Sequence, residues 1–181
     1  MASVLQLKLT LLDVKPPIWR RLRVSSQITL RQLHLLIQVL AGWDDVHQHE
    51  FVIADKRYGR PAPREVVPVY DENLYRLHSL PLAAGIVFTY VYDFGDHWDI
   101  EAKVEETLVQ TPGGAYPFVL EGARAFPPED SGGASDYEGL LEALSDPADP
   151  EHEEARSWVG GSFDPEHFDL RETNERLRSL I

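Results

Sequence analysis

IVFTYVYDFGDHWDIEAKVEETL, residues 86–108, decides the fold. Its first nine residues are rich in β-branched and aromatic side chains, the composition of a pleated, half-buried surface. Asp93-Phe94-Gly95-Asp96 then supplies turn formers. Trp98, Ile100, Ala102 and Val104 follow at every second position, so the second arm has one apolar face. Two such arms around a short turn make a β-hairpin, which needs further strands or a helix to bury that face.

Both are legible N-terminal to it. Residues 4–12 alternate, with Leu5, Leu7, Leu9 and Leu11 on one face and Gln6, Lys8 and Thr10 on the other. Asp13-Val14-Lys15-Pro16-Pro17 interrupts the strand because neither proline can donate to a ladder. Ile18, Leu22 and Val24 resume the alternation, giving a second hairpin with a proline-set connection. Thr29-Leu30-Arg31-Gln32 fits a capping box, Leu33, Leu36, Ile37 and Leu40 recur at helical spacing, and Gly42 ends the helix. Phe51-Val52-Ile53 reads as a strand, and residues 56–73 as a proline-interrupted loop.

Residues 110–135 are rich in glycine and proline and read as a long loop. Three helices are expected beyond it, over residues 137–144, about 150–159 and about 165–180. Ser135 or Asp136 caps the first, while Asp149-Pro150 and Asp164-Pro165 start the other two. The fold class is therefore α+β: a mixed or antiparallel sheet of two hairpins with one packed helix, plus a C-terminal segment of about three helices. One domain spans residues 1–181, divided into a β-rich half (1–109), the loop (110–135) and a helical half (136–181).

Charge is uneven along the 181 residues. The net value is -13, but residues 1–60 carry +4, residues 61–90 carry -1 and residues 91–181 carry -16. The acidic C-terminal half disfavours nonspecific nucleic-acid binding, and any such contact belongs to the N-terminal third. Without cysteine there is no disulfide framework, no thiolate nucleophile and no cysteine zinc site. No apolar run is long enough for a bilayer and the N-terminus lacks a signal-peptide core, so a cytoplasmic protein without membrane contact is expected. Walker loops, GxGxxG turns, GxSxG elbows and HExxH helices are absent.

Several segments are spelled more tightly than a generic surface requires: DVKPPIWRRL, GWDDVHQHEF, YVYDFGDHWDI, PPEDSGG and GGSFDPEHFD. Together, from about residue 5 to residue 177, they resemble the plasmid pRiA4b open-reading-frame-three-like family, also called passenger TnpR proteins of insertion elements. The resemblance implies an α+β domain found on plasmids, in mobile elements and in chromosomes. No nucleophilic serine with clustered arginines accompanies it, so recombinase chemistry is not carried over. The family pattern places cysteines where this chain has Val119, Phe126 and Ser131, and a histidine where it has Ile100. Those positions are either a zinc site replaced here by apolar packing or a set of small buried hydrophobes; on both readings no cofactor is expected there.

His47 and His49 sit two residues apart and, on a strand, point to one face. With Asp93 and Asp96 from the hairpin turn they make a candidate metal set. The bland alternative has the imidazoles bonding element ends and the aspartates bonding their own turn. Trp19, Arg20, Arg21, Trp43, Phe94, Trp98, Glu129 and Asp130 are candidate interaction residues, from an arginine-bearing hairpin and from aromatic and acidic loops. Three functions follow: a non-enzymatic accessory or interaction module with a protein partner, a metal-assisted hydrolase, or a nucleic-acid-associated regulator using Arg20 and Arg21.

Overall fold

The computed structural model describes residues 3–63 and 66–180. The two expected hairpins lie side by side at the centre of the sheet. β1 (Ser3–Leu11) and β2 (Ile18–Ser25) form the first. β1 also pairs antiparallel with β7 (Trp98–Val109), the second arm of the hairpin begun by β6 (Val87–Tyr92). Leu5, Leu7, Leu9 and Leu11 are all at most 3% exposed, so the alternating face of β1 is the core face. β3 (His49–Ile53) extends the sheet beyond β6, and with β4 (Lys56–Gly59), β5 (Val69–Asp71) and β8 (Phe118–Ala123) the eight-stranded order is β5-β4-β3-β6-β7-β1-β2-β8. Every pairing is antiparallel except that of β4 with β5.

Helix α1 (Leu30–Ala41) carries the chain from β2 to β3. Both halves of the predicted capping box are present: the Thr29 hydroxyl accepts from the Gln32 N–H, and the Gln32 side chain accepts from the Thr29 N–H. Gly42, at φ 79°, closes the helix in the left-handed conformation that glycine adopts without a Cβ penalty. Leu30, Leu33, Leu36, Ile37 and Leu40 are buried, each contributing roughly 1.5–3 kcal/mol.

Three short strands escaped the alternation test. β4 (Lys56–Gly59) and β5 (Val69–Asp71) occupy part of the expected loop 56–73, of which residues 64 and 65 lie outside the described residues. β3 and β4 join through Ala54 and Asp55, both at positive φ, which is the backbone of a tight hairpin turn. β8 (Phe118–Ala123) lies within the expected loop 110–135 and pairs with the outer edge of β2. Edge strands owe their form to a neighbour's ladder and need no two-faced pattern of their own.

Helices α2 (Gly133–Ser145), α3 (His152–Trp158) and α4 (Leu170–Arg178) follow. Their starts differ from expectation. Gly132 precedes α2, with Ser135 and Asp136 inside the helix. Asp149 instead accepts from the Glu151 N–H, one turn before α3. Asp169, not Asp164, caps α4 by accepting from the Glu172 N–H at 2.8 Å, while Asp164 closes a turn on the Glu166 N–H. An aspartate before proline signals an Asx turn as readily as a helix start. α4 packs on β8 and α1, and α2 on α3. Among the described residues no helix is long and apolar enough to cross a membrane.

Aromatic rings bind the loops to this frame. Trp43 stacks on Tyr92 at 4.7 Å, meets Phe126 edge-on at 5.8 Å, and donates its indole N–H to the Pro127 carbonyl at 3.0 Å. That bond holds the PPED segment against the end of α1 and the β6–β7 turn.

Candidate functional site

Three loops meet where Trp43 anchors them: the α1–β3 connection, the β6–β7 turn and the PPED segment. The β6–β7 turn is a tight knot. Asp93 and His97 both have positive φ, Asp93 Oδ1 accepts from the Gly95 N–H, and the Asp93 carbonyl accepts from the His97 N–H. Asp96 bridges to the third loop by accepting from the Gly132 N–H at 2.8 Å. Glu129 reaches back, accepting from the Asp44 N–H and the Tyr92 hydroxyl, each at 2.7 Å.

These constraints place His47 among three carboxylates. Its Nε2 lies 2.7 Å from Asp130 Oδ1, 3.6 Å from Asp93 Oδ2 and 3.8 Å from Glu129 Oε1. Ligand atoms of His47, Asp93 and Asp130 all fall within 4.8 Å of one another, the spacing of a metal-binding group. Desolvation works against an imidazolium here, but the Asp130 hydrogen bond and the fields of Asp93, Asp130 and Glu129 outweigh it and raise the His47 pKa. With all three acids ionised the cluster carries two negative charges even when His47 is protonated. Such a centre attracts a cation.

A second imidazole–carboxylate group lies deeper. His34 and His49 stack face to face with ring centroids 3.5 Å apart and planes 12° from parallel. His34 Nε2 meets Asp45 Oδ1 at 2.9 Å, His49 Nε2 meets Glu72 Oε2 at 2.8 Å, and Arg31 donates to Asp45 at 2.7 Å. Gln38 Oε1 accepts from the Asp45 N–H, so Gln38 Nε2 donates to the Tyr90 hydroxyl, and that hydroxyl donates to His34 Nδ1. The chain of donors leaves the His34 proton on Nε2, facing Asp45. Burial and the neighbouring His49 and Arg31 hold the His34 pKa well below the ordinary imidazole value, against the pull of Asp45. His34 is therefore neutral. His34, Asp45 and His49 also satisfy metal-ligand spacing.

The predicted set His47, His49, Asp93 and Asp96 is thus divided. His47 and Asp93 come together, with Glu129 and Asp130 as partners. His49 belongs to the inner group and Asp96 to a backbone bond. Alternation fails for the two histidines because β3 begins only at His49, after Asp45 has turned the chain at φ 54°. The expected interaction residues divide as well. Trp43 and Trp98 are 5% and 2% exposed, and Arg20 is 4% exposed, so none offers a contact surface. Arg21 pairs with Glu105 and Glu121. Trp19 is half-buried, with the cations of Lys8 and Arg21 over its ring, whereas Phe94 is exposed.

Val119 and Ile100 lie on β8 and β7, with β1 and β2 between them. Three inter-strand steps of about 4.8 Å separate them by about 14 Å, too far for both positions to ligate one ion. All four positions, Ile100, Val119, Phe126 and Ser131, are at most 8% exposed.

His34, Glu72 and Tyr90 were not singled out from sequence. His34 and Gln38 did leave a signal: they are polar residues on the buried side of α1. Glu72, fully buried in a connecting segment, left none.

Between the two groups opens a cavity of about 240 Å³, lined by Asp45, His47, His49, Arg57, Arg60 and Phe94 among others. Fold and site together define an α+β protein in which a mixed eight-stranded sheet supports imidazole–carboxylate groups at converging loops. The chain belongs to the plasmid pRiA4b ORF-3-like protein family, whose model matches residues 3–172. It is similar to the uncharacterized protein y4hQ of Sinorhizobium fredii, with 36% identity over 99% of this chain and 93% of that one. It is also similar to the crystal structure of a protein of unknown function, MM3350 from Methanosarcina mazei Go1. That match has a TM-score of 0.84 and 35% identity, covering 95% of this chain and 98% of the other.

Proposed function

We propose that this protein is a plasmid-associated accessory module that binds a divalent cation at His47, Asp93, Glu129 and Asp130 and uses it to engage an anionic group of a partner protein. One observation carries the reading: three loops distant in sequence deliver one imidazole and three carboxylates to a single point, and among the described residues no lysine or arginine pairs with those carboxylates. One nitrogen and several oxygen donors suit manganese, iron or zinc better than calcium or magnesium. The association with plasmids rests on the family description.

The test is metal analysis of protein dialysed against manganese or zinc, beside an Asp93→Asn, Asp130→Asn double variant. The expected result is one ion per chain, lost in the variant. A folded wild-type protein that retains neither metal refutes the reading.

A metal-assisted hydrolase is the second reading, supported by the cavity beside His47, where the exposed Arg60, 3.5 Å from Asp45, can face the charge of an anionic substrate. Manganese-dependent cleavage of a chromogenic phosphate ester, abolished in the same variant, would replace binding by catalysis. The nucleic-acid reading has less support. Arg20 is buried, and Arg21 is occupied by Glu105 and Glu121.

A further inference from the structure

On the other side of the PPED segment lies a larger cavity of about 520 Å³, between β2, the end of α1 and helix α4. Its size is that of a small-molecule site. Trp158, Phe126, Phe163 and Phe168 supply apolar walls, and two guanidiniums, Arg20 and Arg176, supply charge.

Arg20 is unusual for a cation that is 4% exposed. Its NH groups donate to the carbonyls of Trp19, Ala123 and Arg124, its guanidinium lies between the rings of Phe126 and Phe168 at 5.1 and 4.4 Å, and its Nε is buried without a hydrogen-bond partner. No carboxylate pairs with it among the described residues, whereas buried charges are ordinarily paired. Burial, and then the like charge of Arg176, lower its pKa to about 10. It therefore stays charged at neutral pH beside a second cation.

Three acids also line the cavity, each turned to a donor other than the two guanidiniums. Glu129 accepts from Asp44 and Tyr92, Asp169 caps α4, and Glu172 faces His167 at 3.4 Å. Arg176 Nη2 lies at the C-terminus of α1, 3.6 Å from the position of a Cβ on Gly42. That helix end offers roughly half a negative charge. Among the described residues neither guanidinium is ion-paired with a carboxylate, and the buried Arg20 Nε–H lacks an acceptor at the wall of an aromatic-lined cavity.

We infer that this cavity binds a small organic carboxylate with an aromatic or apolar body, its anion held by Arg176 and Arg20 and its body against Trp158, Phe163 and Phe168. A carboxylate fits better than a free phosphate because four aromatic rings line the cavity, and a monoanion on an apolar body pays less desolvation against them. The site lies across the PPED segment from the cation centre at His47, with Glu129 on the wall they share.

Calorimetric titration with 3-phenylpropionate, in chelator so that no metal contributes, tests the inference. Wild-type protein should bind it, while 3-phenylpropionamide and the Arg176→Gln variant with the acid should each bind about tenfold or more weakly. Arg176 is exposed on α4 and loses only its contact with the end of α1, so its variant should melt within about 4 °C of wild type. Trp158→Ala should also weaken the acid. Absence of binding by wild type overturns the inference, as does equal binding of acid and amide or an unchanged affinity in Arg176→Gln. Inorganic phosphate binding as tightly as the acid would overturn the role of the apolar body. Arg20→Met is a less useful probe because it removes the donors to three backbone carbonyls, that of Arg124 buried.

Discussion

Two buried tyrosines should respond oppositely to loss of their hydroxyls. Tyr90 and Tyr137 are both fully buried, with their rings in the same core. The Tyr90 hydroxyl accepts from Gln38 Nε2 at 3.0 Å and donates to His34 Nδ1 at 2.8 Å, whereas the Tyr137 hydroxyl is buried with no partner. Tyr90→Phe keeps the ring and strands two buried polar groups, at about 1–3 kcal/mol each, partly offset by the hydroxyl no longer desolvated. The net loss should be about 3 kcal/mol, or about 6–12 °C in melting temperature for a chain of this size. Tyr137→Phe removes a hydroxyl that already lacks a bond, so it should be neutral or stabilising by about 1 kcal/mol. Urea unfolding at unchanged m-value reads both. If Tyr90→Phe falls within about 0.5 kcal/mol of wild type, the donor chain through His34 is wrong; if Tyr137→Phe loses as much as Tyr90→Phe, the Tyr137 hydroxyl has a partner after all.

Histidine pairing should give stability terms of opposite pH sign. The His47 pKa is raised by folding, so its contribution is complete below about pH 6.5 and disappears as pH rises through the folded value; the stability of wild type relative to His47→Gln should fall across that range. The His34 pKa is lowered, so its contribution is complete above about pH 6.5 and is lost as pH falls toward the folded value, which denaturant unfolding should show as acid destabilisation. Manganese affinity measured by calorimetry should rise with pH as the His47 proton is released, and a pH-independent affinity would remove His47 from the ligand set. Gly133→Ala should cost about 2–4 kcal/mol and weaken the cation centre, because at φ 82° its Cβ would meet the Asp96 carbonyl oxygen at 2.5 Å. Gly160→Ala, at φ 75° with nothing within 4 Å, should cost only about 1–2 kcal/mol in the same unfolding assay.

What the sequence determined by itself was local. Leucines at every second position made β1 a half-buried strand, Asp93 to Asp96 marked the β6–β7 turn, and Thr29, Gln32 and Gly42 bounded α1, because alternation, caps and turns are settled among residues a few positions apart. It also spelled out the GWDDVHQHEF, YDFGD and PPED segments as unusual without showing that they meet. Only the tertiary structure decided that His47 faces Asp130, 83 residues away, and that Glu129 caps the Asp44 backbone from 85 residues away. The same holds for the stacking of His34 on His49 and for β4, β5 and β8, whose short sequences become strands by pairing with a neighbour. Arg20 and Arg21 illustrate the difference within one dipeptide. Strand alternation fixes that they point to opposite faces, but the later packing of β8 and α4 turned one face into the wall of an aromatic cavity and left the other to pair with Glu105 and Glu121.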